Sequence, residues 1–214
     1  MKKLLKWSLL GLLALAWGAA GEIPQSAYDS VRESTDNLLE RLIEVQPFYD
    51  SDPDRFFDEV NAALGPYIDF EGFAKRVMAK HYRKASDAQR RIFVDKFRAG
   101  LIKTYATVLI EFDNEKIVVL KPSTPQKKPD RATIKIEIHA RSGTIFLVHY
   151  QLELVDSPER VLENNPEKHW LLRNVIINGI NIGLQFRSQF NAYMQKHRGD
   201  IDLVIENWSL DENS

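Results

Sequence analysis

The side chains best suited to metal ligation or proton transfer are five histidines: His81, His139, His149, His169 and His197. No two of them stand four apart as a helical metal site requires, and no HExxH run occurs. Cysteine is absent, which removes disulfides, thiolate zinc sites, cysteine nucleophiles and lipid-acylated cysteine together. Neither a GxSxG elbow nor a GxxxxGK[ST] or GxGxxG phosphate loop is present. Gly179 and Gly183, four apart at a strand-to-helix turn, offer either backbone N–H groups to an anion or a tight turn and a close helix contact. The second is the simpler reading. Glu111 has the most apolar neighbours of the carboxylates, and as a helix-end residue it reads as a solvated charge. No catalytic residue, metal ligand or cofactor is therefore assigned.

The composition points the same way. Hydrophobic residues are 44% and charged residues 28% of 214, as in an ordinary globular chain. With 29 Lys+Arg against 30 Asp+Glu, no global basic field suggests nucleic acid as a partner. The address is written at the start. Lys2, Lys3 and Lys6 precede an uncharged stretch from Trp7 to Ala20 that ends in small residues, the layout of a secretory signal peptide over residues 1–21. Fourteen uncharged residues fall short of the roughly 20 needed to span a bilayer. Cleavage after Ala20 or Gly21 removes three lysines and leaves 26 basic against 30 acidic side chains, a net charge of −4. The rest, 22–214, reads as a single secreted domain.

The elements that must position any site follow from periodicity. Residues 26–46 form an amphipathic helix with Val31, Leu38, Leu42 and Val45 on one face. Asp52-Pro53 opens a short helix carrying Phe56 and Val60, and Asp69 caps a third with Phe73, Val77 and Met78. Ser86 and Gln89 have capping-box spacing and begin the longest helix, running to about Phe112, with a stripe of Phe93, Phe97, Leu101, Tyr105 and Leu109.

Strand periodicity then takes over. Ile117–Leu120 is one strand, and a Pro/Lys-rich loop leads to Asp130. Residues 133–140 alternate, Arg141-Ser142-Gly143 fits a three-residue hairpin loop, and the return strand runs to Val155. Pairing Ala140 with Thr144 sets Ile138 opposite Phe146, Ile136 opposite Val148, Ile134 opposite Tyr150, and Lys135 opposite His149. A charged segment, 156–168, precedes a strand over 170–177, a turn, and helices bearing Leu184, Phe186, Phe190 and Met194 and then Ile201 to Val204. The expected fold is α+β: N-terminal helices packed on one face of a curved, mostly antiparallel sheet, with C-terminal helices.

The candidate site is then the apolar interface itself. The stripe Phe97, Leu101, Tyr105, Leu109 is expected to face the sheet side bearing Ile134, Ile136, Ile138, Phe146, Val148 and Tyr150. Composition alone does not distinguish a closed core from a cavity there.

A longer pattern decides between them. Leu64-Gly65-Pro66-Tyr67-Ile68-Asp69-Phe70, Tyr82, Ala85-Ser86, Gln89, Phe93, Phe97, Leu101 and Tyr105, and the run from Trp170 to Gly183 followed by Phe186-Arg187 and Phe190, resemble the MlaC or toluene-tolerance family of periplasmic phospholipid-binding proteins. The resemblance implies a nuclear-transport-factor-like domain with an apolar cavity between sheet and helices, and a carrier rather than an enzyme. It also implies partners: an outer-membrane lipoprotein–porin complex and an inner-membrane ABC transporter with an MCE-domain ring. Its task would be to maintain outer-membrane lipid asymmetry. Lipid-contacting residues would be the ten named above with Val175, Ile177, Ile182 and Phe186, so that Asp at Leu101 or Val148 would face acyl chains. Basic side chains at the cavity mouth would suit a phosphate headgroup, though the sequence does not single them out. The rival readings are a cavity-free envelope adaptor and a small enzyme on the same fold.

Overall fold

In the computed structural model, the residues described are 26–110, 116–124, 126–140, 142–156 and 168–210. The expected signal peptide, the body of the charged segment 156–168, and Glu111 lie outside them. Seven α-helices and five strands are described: α1 (Ala27–Val45), α2 (Phe48–Ser51), α3 (Pro53–Leu64), α4 (Phe70–Met78), α5 (Asp87–Ile110), β1 (Lys116–Leu120), β2 (Arg131–His139), β3 (Ile145–Asp156), β4 (Lys168–Ile177), β5 (Ile180–Asn181), α6 (Ile182–Lys196) and α7 (Ile201–Glu206).

The helix starts are fixed by side chains that satisfy otherwise orphaned backbone donors. Ser26 accepts from the Asp29 N–H, Asp52 from Arg55, Asp69 from Gly72, and Asn181 from Leu184. Ser86 and Gln89 form the reciprocal capping box, the Ser86 N–H donating to Gln89 Oε1 and the Gln89 N–H to Ser86 Oγ.

The sheet is antiparallel throughout, with order β1-β2-β3-β4-β5. The hairpin register is the expected one: Ile134 pairs Tyr150, Ile136 pairs Val148 and Ile138 pairs Phe146. Gly143 turns the chain with φ +83°. Pairing slips between Gln151–Asn174 and Leu152–Leu172, so Arg173 is an extra residue in β4, a β-bulge. Four short elements go beyond the sequence reading. They are α2, 3-10 turns over Gly65–Tyr67 and Ala79–His81, and β5, which pairs with the end of β4.

Apolar packing falls into two clusters. The helical one joins α1, α3, α4, α5, α6, α7 and the C-terminal Trp208 and Leu210. Its centre is aromatic: Phe93 lies 5.0 Å from Phe190 and 5.3 Å from Trp208, and Phe97 lies 5.2 Å from Phe73, all near edge-to-face. The second cluster is one face of the sheet with Ala27 and Val31 from the first turns of α1. Thus α1 spans both, through Ala27 and Val31 at one end and Leu42 and Val45 at the other.

Candidate functional site

Side chains two apart along a strand share a face, and the registers carry that face across the sheet. One row runs Ile117, Ile138, Phe146. The next runs Val119, Ile136, Val148, Ile177 and Ile180, and a third runs Ile134, Tyr150, Val175. Ala132 and Leu152 extend it, and Leu154 and Trp170 follow. From Phe146 to Leu154 and their cross-strand partners the face carries aliphatic and aromatic side chains.

This face is only partly sealed. Ile134, Ile136, Val148, Leu152 and Trp170 are buried, whereas Ile117, Val119, Ile138, Tyr150, Leu154, Val175 and Ile177 are half-buried and Phe146 is exposed. Tyr150 is half-buried on this face, and burial pushes its hydroxyl above the ordinary tyrosine value.

The expected site residues separate into two groups. Ile134, Ile136, Ile138, Phe146, Val148, Tyr150, Val175 and Ile177 share the sheet face. Phe97, Leu101 and Phe186 belong instead to the helical cluster, with Ile182 packed against it. The expectation that Phe97 and Leu101 face the sheet is thus corrected. The α5 stripe faces Phe73 and Phe186 because α4 and α6 supply aromatic partners 5.2–5.7 Å away. Tyr105 is 37% exposed, and the Leu109 side chain lies outside the described residues.

Polar chemistry gathers at the β2 edge, around Glu153 on the other face of the same strands. At the end of β2 that extends past β1, an open cleft of ≈ 1400 Å³ is lined by Ala27, Tyr28, Ala132, Ile134 and Leu152 together with seven cationic side chains and the carboxylate of Glu153. The bulge residue Arg173 reaches Asp69 and, at 2.5 Å, Glu153. Arg76 approaches the same Glu153 at 3.0 Å, and Arg131 at 3.9 Å. Sequence reasoning missed these residues because Arg76, Arg131 and Arg173 are far apart in the chain. The one visible signal was the run of lysines at 121, 127 and 128.

The remaining candidates resolve simply. Gly183 and Leu184 donate their N–H groups to Asn174 and Asn181, so they are not held out to an anion. Lys135 does pair with His149, and among the described residues no cluster of metal-ligating side chains occurs.

Comparison with known proteins adds three findings. The family model described as "MlaC protein" matches residues 32–209. The toluene tolerance protein Ttg2D of Pseudomonas putida is 34% identical over 212 residues, covering 98% of this chain and 91% of that protein. The fold matches that of a phospholipid-binding protein from Ralstonia solanacearum, solved in complex with a phospholipid, with TM-score 0.70 and 19% identity over 85% of this chain and 94% of that one.

Proposed function

Because the chain belongs to the MlaC family, we propose that it is a periplasmic phospholipid carrier, secreted by cleavage after Ala20 or Gly21. Its acyl-chain surface is the sheet face from Ile117 to Ile177. The single observation that carries the reading is that face, continuous, apolar and incompletely sealed. The P. putida relative and the lipid complex of the R. solanacearum protein support it. The partners are an outer-membrane lipoprotein–porin complex and an inner-membrane MCE-domain ABC transporter, between which the loaded protein shuttles to maintain outer-membrane asymmetry.

Energetics suit a carrier. Removing an acyl chain of roughly 16 carbons from water gains on the order of 12 kcal/mol, at about 0.8 kcal/mol per CH₂. A bilayer already supplies that gain, so exchange with a membrane protein complex is nearly balanced while escape into water is not. The carrier therefore retains lipid in the periplasm and exchanges it only when docked. No bond is made or broken, and the apolar face supplies no acid or base for such a step.

The test is native mass spectrometry of the mature protein, purified from the periplasm without detergent, with lipid extraction alongside. A mass excess matching phospholipid, lost on denaturation, is expected. A clean lipid-free mass in well-folded protein would sink the carrier reading in favour of an adaptor.

A further inference from the structure

β1 is the outer strand of the sheet, and only one of its edges is paired. At the two ends of the β2–β3 ladder Ala140 donates its N–H to Thr144 and Leu154 donates to Asp130. The even-numbered residues of β2 therefore bond to β3 and the odd-numbered ones to β1. Lys116, Val118 and Leu120 direct their backbone groups to His139, Glu137 and Lys135, while Ile117 and Val119 turn theirs away from the sheet. Among the described residues no hydrogen bond reaches that outward row. Proteins blunt such an edge with a bulge, a proline or a charge within the strand. Here the β1–β2 register is unbroken, Pro122 comes after the strand has ended, and the centre is Ile117-Val118-Val119. The charges stand at its ends, Lys116 in the first position and Lys121 just past the last. Leu120 and Lys121 also line the open cleft, whose seven cations face the one carboxylate of Glu153. Among the described residues no carboxylate lies within ion-pair distance of Lys116, Lys121, Lys127 or Lys128.

We propose that the free edge of β1 is a docking site for an extended, acidic segment of a protein partner, which adds a strand to the sheet. The outward backbones of Ile117 and Val119 offer two N–H donors and two C=O acceptors to that strand. Side chains then set the partner's chemistry. Its central residues lie beside Ile117, Val118 and Val119 and are apolar or β-branched. Its end residues lie beside Lys116 and Lys121 and are carboxylates. Charge argues for this occupant over a second copy of the chain, because a second copy carries the same cation-rich cleft to the same edge. The lysines thus discourage self-pairing and favour an acidic strand.

The probe is a labelled peptide, acetyl-Glu-Val-Thr-Val-Thr-Val-Glu-amide, added to the purified protein, with a version ending in lysines as its control. Fluorescence anisotropy should show the acidic peptide binding about tenfold more tightly, since two exposed attractive pairs become repulsive in the control. High salt should narrow that ratio. Amide exchange should slow at Ile117 and Val119 when the acidic peptide is bound. Val119→Pro removes an N–H that the β1–β2 ladder does not use, so the fold should survive. Binding should fall about tenfold, because an opposing peptide carbonyl is left unpaired. K116E/K121E leaves the backbone intact and should reverse the preference between the two peptides, which keeps the test decisive if V119P upsets folding. Absence of binding, equal binding of both peptides, or protection elsewhere on the sheet would overturn the proposal. So would a concentration-dependent dimer of the wild type that V119P abolishes, which would give the edge to a second copy. None of these readouts involves lipid, so their failure leaves the carrier reading standing.

Discussion

The side-chain oxygen of buried Asn174 accepts the backbone N–H of Gly183 at 2.9 Å, fastening the sheet to the start of α6. Its amide donates to Gln151 Oε1 at 2.9 Å and Asn181 Oδ1 at 3.0 Å. Asn181 in turn caps α6. One side chain thus links β3, β4, β5 and α6. It lies between Arg173, at the cleft, and Val175, on the apolar face, and so sets where helical cluster and sheet meet.

Asn174→Asp should be costly despite its near-identical shape. The new carboxylate faces two carbonyl-type oxygens, and both amide donations vanish. Leaving such buried groups unpaired costs about 1–3 kcal/mol each way, so the midpoint of thermal unfolding should fall by roughly 5–10 °C. Gly183→Ala tests the same contact from the other side, because a Cβ there would sit 2.5 Å from Asn174 Oδ1. Calorimetry should find both variants destabilised. A wild-type midpoint in either would mean that this junction is not tight.

Charge placed on the sheet face should separate lipid binding from folding. Ile138 is half-buried, between Ile117 and Phe146, at the end where Phe146 is exposed. Ile138→Asp should leave a cooperative fold and reduce bound phospholipid by at least about tenfold, since a carboxylate against hydrocarbon costs several kcal/mol. Leu101→Asp should behave differently. Leu101 is buried among helical side chains, so that variant should lose stability first, by about 3–5 kcal/mol. Native mass spectra beside thermal melts distinguish the two. Full lipid content in folded I138D would remove the sheet face from the site.

What was legible in the sequence was local. The capping box at Ser86 and Gln89 and the Gly143 hairpin are short-range devices, and the alternation of Ile134, Ile136 and Ile138 admits one register that keeps the apolar set together. The partner of a helical stripe is not local. Phe97 and Leu101 are apolar at helical spacing whether they face a sheet or other helices, and only the placement of Phe73 and Phe186 decides. The bulge at Arg173 is invisible in the same way. The partners of its guanidinium, Asp69 and Glu153, lie 104 and 20 residues away.

Acid should weaken the helical layer through His81. Its Nε2 lies 3.1 Å from Asn191 Oδ1, and its ring stacks at a tilt 5.9 Å from Phe190. Desolvation lowers its pKa below 6.5, opposed by the Asn191 hydrogen bond and reinforced by Lys80 and Lys84. The unfolded chain therefore takes up this proton more readily than the folded one. The contribution is fully present above the unfolded value of 6.5 and is lost as pH falls from there through the folded value. Denaturant midpoints measured from pH 7.5 to 5 should decline, and His81→Gln should flatten that decline. An identical slope in H81Q would remove His81 from the account.

The Asp69–Arg173 pair makes the last prediction, because Asp69 does two things at once. One oxygen caps α4 through the Gly72 N–H at 2.7 Å, and the other holds Arg173. Asparagine caps as well as aspartate, so Asp69→Asn keeps the cap and loses the charge, while Asp69→Ala loses both. With side chains 13% and 21% exposed, the pair is worth more than a surface salt bridge. D69N should cost about 1–3 kcal/mol, and D69A about 1 kcal/mol beyond it. Gly72 leaves the room for this arrangement, since a Cβ would stand 2.1 Å from Asp69 Oδ2 and 3.0 Å from Arg173 Nε. Gly72→Ala should therefore mimic the loss of the pair. A double-mutant cycle of D69N with Arg173→Met, read by urea unfolding, isolates the coupling. Strict additivity would mean that α4 is held to the bulge by packing alone.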